Sequence, residues 1–194
     1  MGRLVVVSNR IADPRKTASG GLAVALGQAL QASGGLWFGW SGKIVEDGTP
    51  GEGDLHLQTS GKVQLATVDL SREDHDSYYL NYSSGVLWPV LHYRLDLADF
   101  DSGGIAGYRR VNQLFAQKLK ALLRPDDTIW VHDYHLIPLA AELRAMGCEQ
   151  RMGFFLHIPV PPPLKQGLPV SHLAYNKLFR AIKAPLCHSK PLSA

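Results

Sequence analysis

A chain of 194 residues, 45% of them hydrophobic, is long enough to bury a substantial core in one large domain or two small ones. Its net charge of +3, with 19% charged residues and no Lys/Arg block, excludes a strongly basic binder of nucleic acid or of an acidic membrane. The two cysteines, Cys148 and Cys187, form neither a C-x-x-C pair nor a zinc spacing. No window approaches a membrane span of about 20 apolar residues, so a reduced, cytoplasmic setting is expected.

Leu4-Val5-Val6-Val7 is a continuous apolar, mostly β-branched run, the pattern of a parallel strand buried on both faces. It ends in Ser8-Asn9-Arg10, and a polar stretch leads to Ser19-Gly20-Gly21. There helical spacing begins, with Leu22, Leu26 and Leu30 flanked by Ala23, Ala25 and Ala29, and it stops before Gly34-Gly35. Leu36 to Trp40 reads as a second strand, residues 42–61 as an exposed Gly-rich hairpin or loop, and Val63 to Val68 as an alternating strand. Ser71-Arg72-Glu73-Asp74 fits an acidic variant of the capping box and opens a helix toward Tyr82.

Val111, Leu114, Phe115, Leu119, Leu122 and Leu123 mark an amphipathic helix ended by Pro125. Thr128 to Val131 reads as a buried strand, Leu136 to Met146 as a helix stopped by Gly147, and Gly153 to Leu156 as another buried strand. This is a βαβ unit, whose strands run parallel with a right-handed crossover. Strands alternating with helices along the chain predict an α/β fold: a Rossmann-like, doubly wound, mostly parallel sheet. After Pro159 the composition shifts, with seven of the 12 prolines, five Lys/Arg and no acidic residue in 159–194. The expected division is a domain over residues 1–159 and a Pro-rich basic tail over 160–194, in which Leu173 to Ile182 has the spacing for one helix.

In an open parallel sheet, ligands gather beyond the carboxyl ends of the strands. That rule selects Arg10, the His132-Asp133-Tyr134-His135 run, and His157-Ile158. A cation, a carboxylate and an imidazole on one crevice suit a phosphorylated polyol. Each also has a plainer reading. A strand-end arginine is often only a surface residue, and Asp133 can simply cap the helix that starts near Leu136. His132 and His135, without a cysteine, are a weak zinc pattern, and no G-x-S-x-G nucleophile elbow occurs. Gly20-Gly21 is not the G-x-G-x-x-G fingerprint. A helix N-terminus there offers free N–H groups and about half a positive charge to a phosphate; a glycine pair that only shapes a tight turn fits equally. Trp37, Trp40, Tyr78, Tyr79, Trp88 and Tyr93 cluster within residues 37–93, either as core or as faces on which a sugar packs.

The motifs RLVVVSNRIA, SGGLAVAL, GGLWFGWSG, YY before LWPVLHYRLD, YRRVNQLFAQKL, IWVHDYHLIPLAAELR and GFFLHIP occur in that order. Over about residues 3–159 the chain resembles the N-terminal part of the trehalose-6-phosphate synthases, retaining glycosyltransferases with two facing Rossmann-like domains in the GT-B arrangement. The resemblance implies glucosyl transfer from UDP-glucose to glucose 6-phosphate, giving α,α-trehalose 6-phosphate, with no metal or other cofactor, in a family whose full-length members can be homo-oligomers. Matched by motif, it implies that Arg10, Trp40, Tyr79 and Asp133 contact the acceptor, Gly20 and Gly21 the donor, and Trp88, His157 and Ile158 the reaction centre. His157 would support the sugar during a front-face transfer assisted by the donor's own phosphate. The pattern departs after HIP, where Val160 stands for the family's Phe and Leu164 follows the prolines without the usual acidic residue. With the second, donor-gripping domain not in the sequence, the expectation is a truncated or frameshifted product that binds glucose 6-phosphate weakly and turns over little or nothing. The competing expectation is a non-catalytic sugar-phosphate binding module or a remnant without function.

Overall fold

Val5, Val6 and Val7 are at most 1% exposed, because the strand they form is covered on both faces. This strand, β1 (Leu4–Arg10), sits near the middle of a six-stranded sheet in the computed structural model, which describes residues 2–11, 21–100 and 103–158, the first three of helix α1 (Gly21–Ser33) as backbone only. The other strands are β2 (Gly35–Val45), β3 (Leu55–Ser60), β4 (Val63–Ser71), β5 (Thr128–His132) and β6 (Arg151–Phe155). Their order is β3-β4-β2-β1-β5-β6, all parallel except β3, which pairs antiparallel with β4. Gly20, the prolyl tail with Val160 and Leu164, and the helical spacing from Leu173 to Ile182 lie outside the described residues.

The period of two along each strand sorts the core into two layers. Val6, Trp37 and Leu65 pack with Leu26 and Leu30 of α1 on one face. Val5, Val7, Phe38 and Val131 meet Phe115 and Leu119 of α4 (Ile105–Lys120) and Leu139 and Leu143 of α5 (Leu139–Ala145) on the other. Phe38 meets Phe115 edge to face at 5.4 Å. The doubly wound α/β sheet expected from the strand–helix alternation is the observed one.

Two segments differ from the sequence reading. Gly42 to Val45 belong to β2, which bends between Trp40 and Ile44 and resumes pairing with β4 at Ile44–Leu70. What holds them is Asp69 of β4: Ser41 Oγ donates to it at 2.6 Å, Lys43 Nζ at 3.0 Å, and His56 Nε2 lies 3.1 Å away. Burial pushes the Asp69 carboxyl up, yet these three partners together hold it below the usual range. Of the rest of the expected hairpin or loop, residues 46–54 are turns and loop, and β3 pairs across the turn at Gly61, φ +59°, with β4, the strand expected from Val63.

The helix opened by Ser71 runs past Tyr82 to Leu91. It begins as α2 (Arg72–His75), widens into a π-helical stretch (Asp76–Leu87) and closes as α3 (Trp88–Leu91). The buried positions Tyr78, Ser83 and Leu87 recur at a spacing wider than the 3.6 of an α-helix. Half of the capping box is present: Ser71 Oγ accepts from the Asp74 N–H at 3.2 Å, while the Asp74 carboxylate accepts from Arg110 Nε instead. No helix among the described residues is long and apolar enough to cross a membrane.

At the opposite end of the sheet from the strand termini, Arg3 grips Asp127 with Nε at 3.1 Å and Nη2 at 2.8 Å, and donates to the Leu122 carbonyl at 2.7 Å. Burial raises the Asp127 carboxyl, but Arg3 and the Arg124 N–H outweigh it and hold it below the usual range. Removing the guanidinium leaves a carboxylate of 0% side-chain exposure without its charged partner, held only by the Arg124 N–H. Arg3→Met is therefore expected to cost about 3 kcal/mol in urea unfolding, with the double variant Arg3→Met/Asp127→Leu recovering most of the loss.

Candidate active site

β1 delivers Arg10 to the carboxyl edge of the sheet in register with Trp40 of β2. The guanidinium lies over the indole, 5.4 Å from its centroid. Gly42 makes room for it: a Cβ there would fall 2.6 Å from Arg10 Nη2, and its φ of +87° suits glycine. The indole is fixed by donating Nε1–H to the Lys43 carbonyl at 2.9 Å.

From Trp40 an aromatic wall runs to the end of β5. Trp40 contacts His75 at 5.2 Å and Tyr79 at 6.3 Å, and Tyr79 stacks on His135 at 5.7 Å with ring planes 13° apart. His135 in turn stacks on Tyr134 at 4.1 Å. The tyrosine pair is divided between two roles. Tyr78 is fully buried and donates its hydroxyl to Asn9 Oδ1 at 2.8 Å, whereas Tyr79 is only half-buried at the site.

Asp133 follows β5 with φ +75° and ψ +164°, a region that residues with a Cβ rarely occupy. Its N–H donates to the Phe155 carbonyl at 2.8 Å, its own carbonyl accepts from the Leu136 N–H at 3.1 Å, and Oδ1 accepts from the Tyr134 N–H at 3.0 Å. The plain capping role is thus real, served at the short 3₁₀ turn Tyr134–Leu136. Beside it, His132 Nδ1 lies 3.0 Å from Nε2 of the exposed His157. Ile158 is half-buried against the core on the α4 face.

The structure therefore joins Arg10, Trp40 and Tyr79 through ring contacts, and brings Asp133 against the end of β6, two residues before His157. Trp88 stands apart from that wall, 43% exposed and stacked on His92 at 4.2 Å. Gly21 is the first residue of α1. Among the described residues no group of three or more His, Cys, Asp or Glu side chains is placed to hold a metal ion. Asn9, Gly42 and His75 were not singled out from sequence. Of these only His75 left a signal, four residues before Tyr79 on a helix.

The sequence model of glycosyltransferase family 20 matches residues 5–165. The chain belongs to that family. This family 20 chain is 55% identical over 165 residues to the trehalose-6-phosphate synthase of Cronobacter sakazakii, and 54% to that of Klebsiella pneumoniae; the matches take in 84% of this chain and 34% of each relative. It matches the structure of an α,α-trehalose-phosphate synthase (UDP-forming) from Burkholderia xenovorans in complex with glucose-6-phosphate, with a TM-score of 0.81 at 48% identity over 93% of this chain and 39% of that one. A trehalose-6-phosphate structure from E. coli bound with UDP-2-fluoro glucose gives 0.78 at 49% identity, over 93% and 38%. The chain spans about a third of the length of the curated relatives it matches. Its sheet is the N-terminal Rossmann-like sheet of a GT-B glycosyltransferase.

Two physical features of this family 20 site are open to measurement. Burial lowers His132 from 6.5 to about 4, with the neighbouring His157 adding to the effect, and burial lowers His135 to about 4 as well. Both imidazoles are neutral in the folded protein at pH 7, whereas the unfolded chain protonates them near 6.5. The contribution of these two rings to stability is therefore fully present above pH 6.5 and is lost as pH drops toward 4, by up to ~1.4 kcal/mol per pH unit for each ring. Urea unfolding at pH 7.5, 6.0 and 5.0 should show the decline, and His135→Gln should make it shallower. At Asp133, both Asp133→Ala and Asp133→Gly lose the carboxylate but only glycine relieves the positive φ. The usual order then inverts, and Asp133→Gly should be the more stable by about 1 kcal/mol in the same assay.

Proposed function

We infer that the residues at this strand edge form the acceptor half of an α,α-trehalose-phosphate synthase site, which binds glucose 6-phosphate in a soluble cytoplasmic enzyme. The observation that carries the reading is the convergence of Arg10, Trp40 and Tyr79 on the carboxyl edge where Asp133 is held in a strained conformation. The relatives' names and the Burkholderia complex with glucose-6-phosphate support it. Arg10 supplies a planar donor fork for the phosphate dianion. Half-buried Tyr79 gives an apolar face for the sugar's C–H surface, Trp40, 6% exposed, backs Arg10 and Tyr79 from within, and the Asp133 carboxylate accepts from the sugar's hydroxyls.

The donor of this reading is UDP-glucose. Gly21, the first residue of α1, offers its diphosphate the free N–H groups of the helix start, which stabilise the charge that grows as UDP leaves; Gly20 is assigned to the donor with it on the family motif alone. In the transfer, the bond between the glucosyl C1 and the UDP oxygen breaks as the acceptor's anomeric oxygen bonds to C1 from the same face. The acceptor's proton passes to the departing phosphate, so configuration is retained. His157 and Ile158 border the transferred sugar; Trp88 is assigned to the reaction centre on the family motif alone, since its ring stacks on His92 away from the aromatic wall.

Isothermal titration tests the acceptor assignment. Glucose 6-phosphate should bind the 194-residue polypeptide and glucose should not do so measurably. Arg10→Ala should weaken glucose 6-phosphate at least tenfold, since a charge-assisted bond contributes about 1.5–3 kcal/mol. Equal affinity for glucose and glucose 6-phosphate would overturn the assignment. Incubated with UDP-glucose and glucose 6-phosphate, the same polypeptide is expected to release little or no UDP.

A further inference from the structure

His132 closes β5 on the face that α1 covers, and it is 1% exposed. Its ring lies 4.3 Å from that of Trp130 and stacks on His157 at 5.2 Å with planes 20° apart. Nδ1 sits 3.0 Å from His157 Nε2, and its own Nε2 is buried with no partner among the described residues. One proton joins the two rings, and either ring can supply it. If His157 Nε2–H donates, a neutral His132 must carry its proton on Nε2, as a buried N–H with nothing to receive it. If His132 Nδ1–H donates, the buried Nε2 is bare. Orphaned N–H groups are the rarer kind in folded proteins, so the second arrangement is favoured.

We propose that His132 is a positioning residue: its Nδ1–H donates to His157 Nε2, fixes His157 in the tautomer that carries its proton on Nδ1, and so presents an N–H donor, not a bare nitrogen, to a sugar hydroxyl at the strand edge. The state of one imidazole nitrogen is set by the bond that the other makes. Burial keeps His132 neutral, so its ring carries a single proton, and in this arrangement that proton is on Nδ1. The stack on His132 also sets the plane of an otherwise exposed ring. The proposal rests on the acceptor-and-donor reading above only for the kind of ligand that His157 meets.

The test is a long-range proton–nitrogen correlation spectrum of the 194-residue chain with ¹⁵N-labelled histidines at pH 7.5. His157 should show a protonated Nδ1 and a bare Nε2, with a coupling across the hydrogen bond to a protonated His132 Nδ1. In His132→Phe, which keeps a ring between Trp130 and His157 but removes the donor, the coupling is lost and Nε2 of His157 becomes protonated in a substantial fraction of molecules. A wild-type His157 protonated at Nε2, or a His157 pattern unchanged in His132→Phe, overturns the proposal. The wild-type spectrum alone can do so if the variant fails to fold. Failure of glucose 6-phosphate to bind, with the expected tautomers present, would count against the functional reading and leave this one standing.

Discussion

β1 runs parallel to β2 on one side and to β5 on the other, and this pairing decides where each candidate side chain emerges. Parallel strands deliver their carboxyl ends to one edge, so residues far apart in sequence arrive together without any contact specified between them. Arg10 meets Trp40 because they are register partners, and Asp133 meets Phe155 because β6 pairs with β5. A one-residue slip of β1 would turn Val5 and Val7 away from Phe38 and Phe115 and put Val6 in their place. The register is therefore enforced by the core on both faces, and the site inherits its precision from that enforcement.

Above this frame the site is economical in charge. The two histidines that flank Asp133 in sequence, His132 and His135, are held neutral by burial, so neither adds charge to that of Arg10. Neutral rings can pack against tyrosines, as His135 does against Tyr79 and Tyr134, without the desolvation cost of an imidazolium. The strained Asp133 backbone is tolerated for a related reason. Its N–H, its carbonyl and one carboxylate oxygen are all satisfied locally, so the surrounding bonds over-determine a conformation that the residue alone would avoid.

The strands with continuous apolar runs, and the βαβ unit, were legible because burial on both faces leaves a signature that needs no partner to interpret. The strand-end rule then reached Arg10, Asp133 and His157 on physics alone, while the choice of Tyr79 over Tyr78 came only with the family resemblance. The rest depends on cross-chain neighbours. Gly42 to Val45 look like loop until Asp69 of β4 is seen to hold Ser41 and Lys43. The π-helical stretch carries no periodicity signal, since its buried positions follow a period that sequence templates do not search. Gly42 as the space for a guanidinium, and His132 as the partner of His157, exist only once β2 lies beside β1 and β6 beside β5.

The edge beyond β6 shows how the fold holds two adjacent residues without regular structure. Strand alternation persists past Phe155: Phe154, Leu156 and Ile158 pack against the core on the α4 face. Phe155 and His157 stay on the side of His132, at 6.4 and 5.2 Å from its ring. Consecutive residues are thus pinned from opposite faces, His157 by a hydrogen bond and a stack, Ile158 by apolar burial. The imidazole and the apolar side chain therefore hold a relative position that neither residue can change alone. A side chain held on one face only could rotate away. Two neighbours held on opposite faces fix the backbone between them, so at this edge two distant packing layers give the orientation that strand pairing supplies elsewhere.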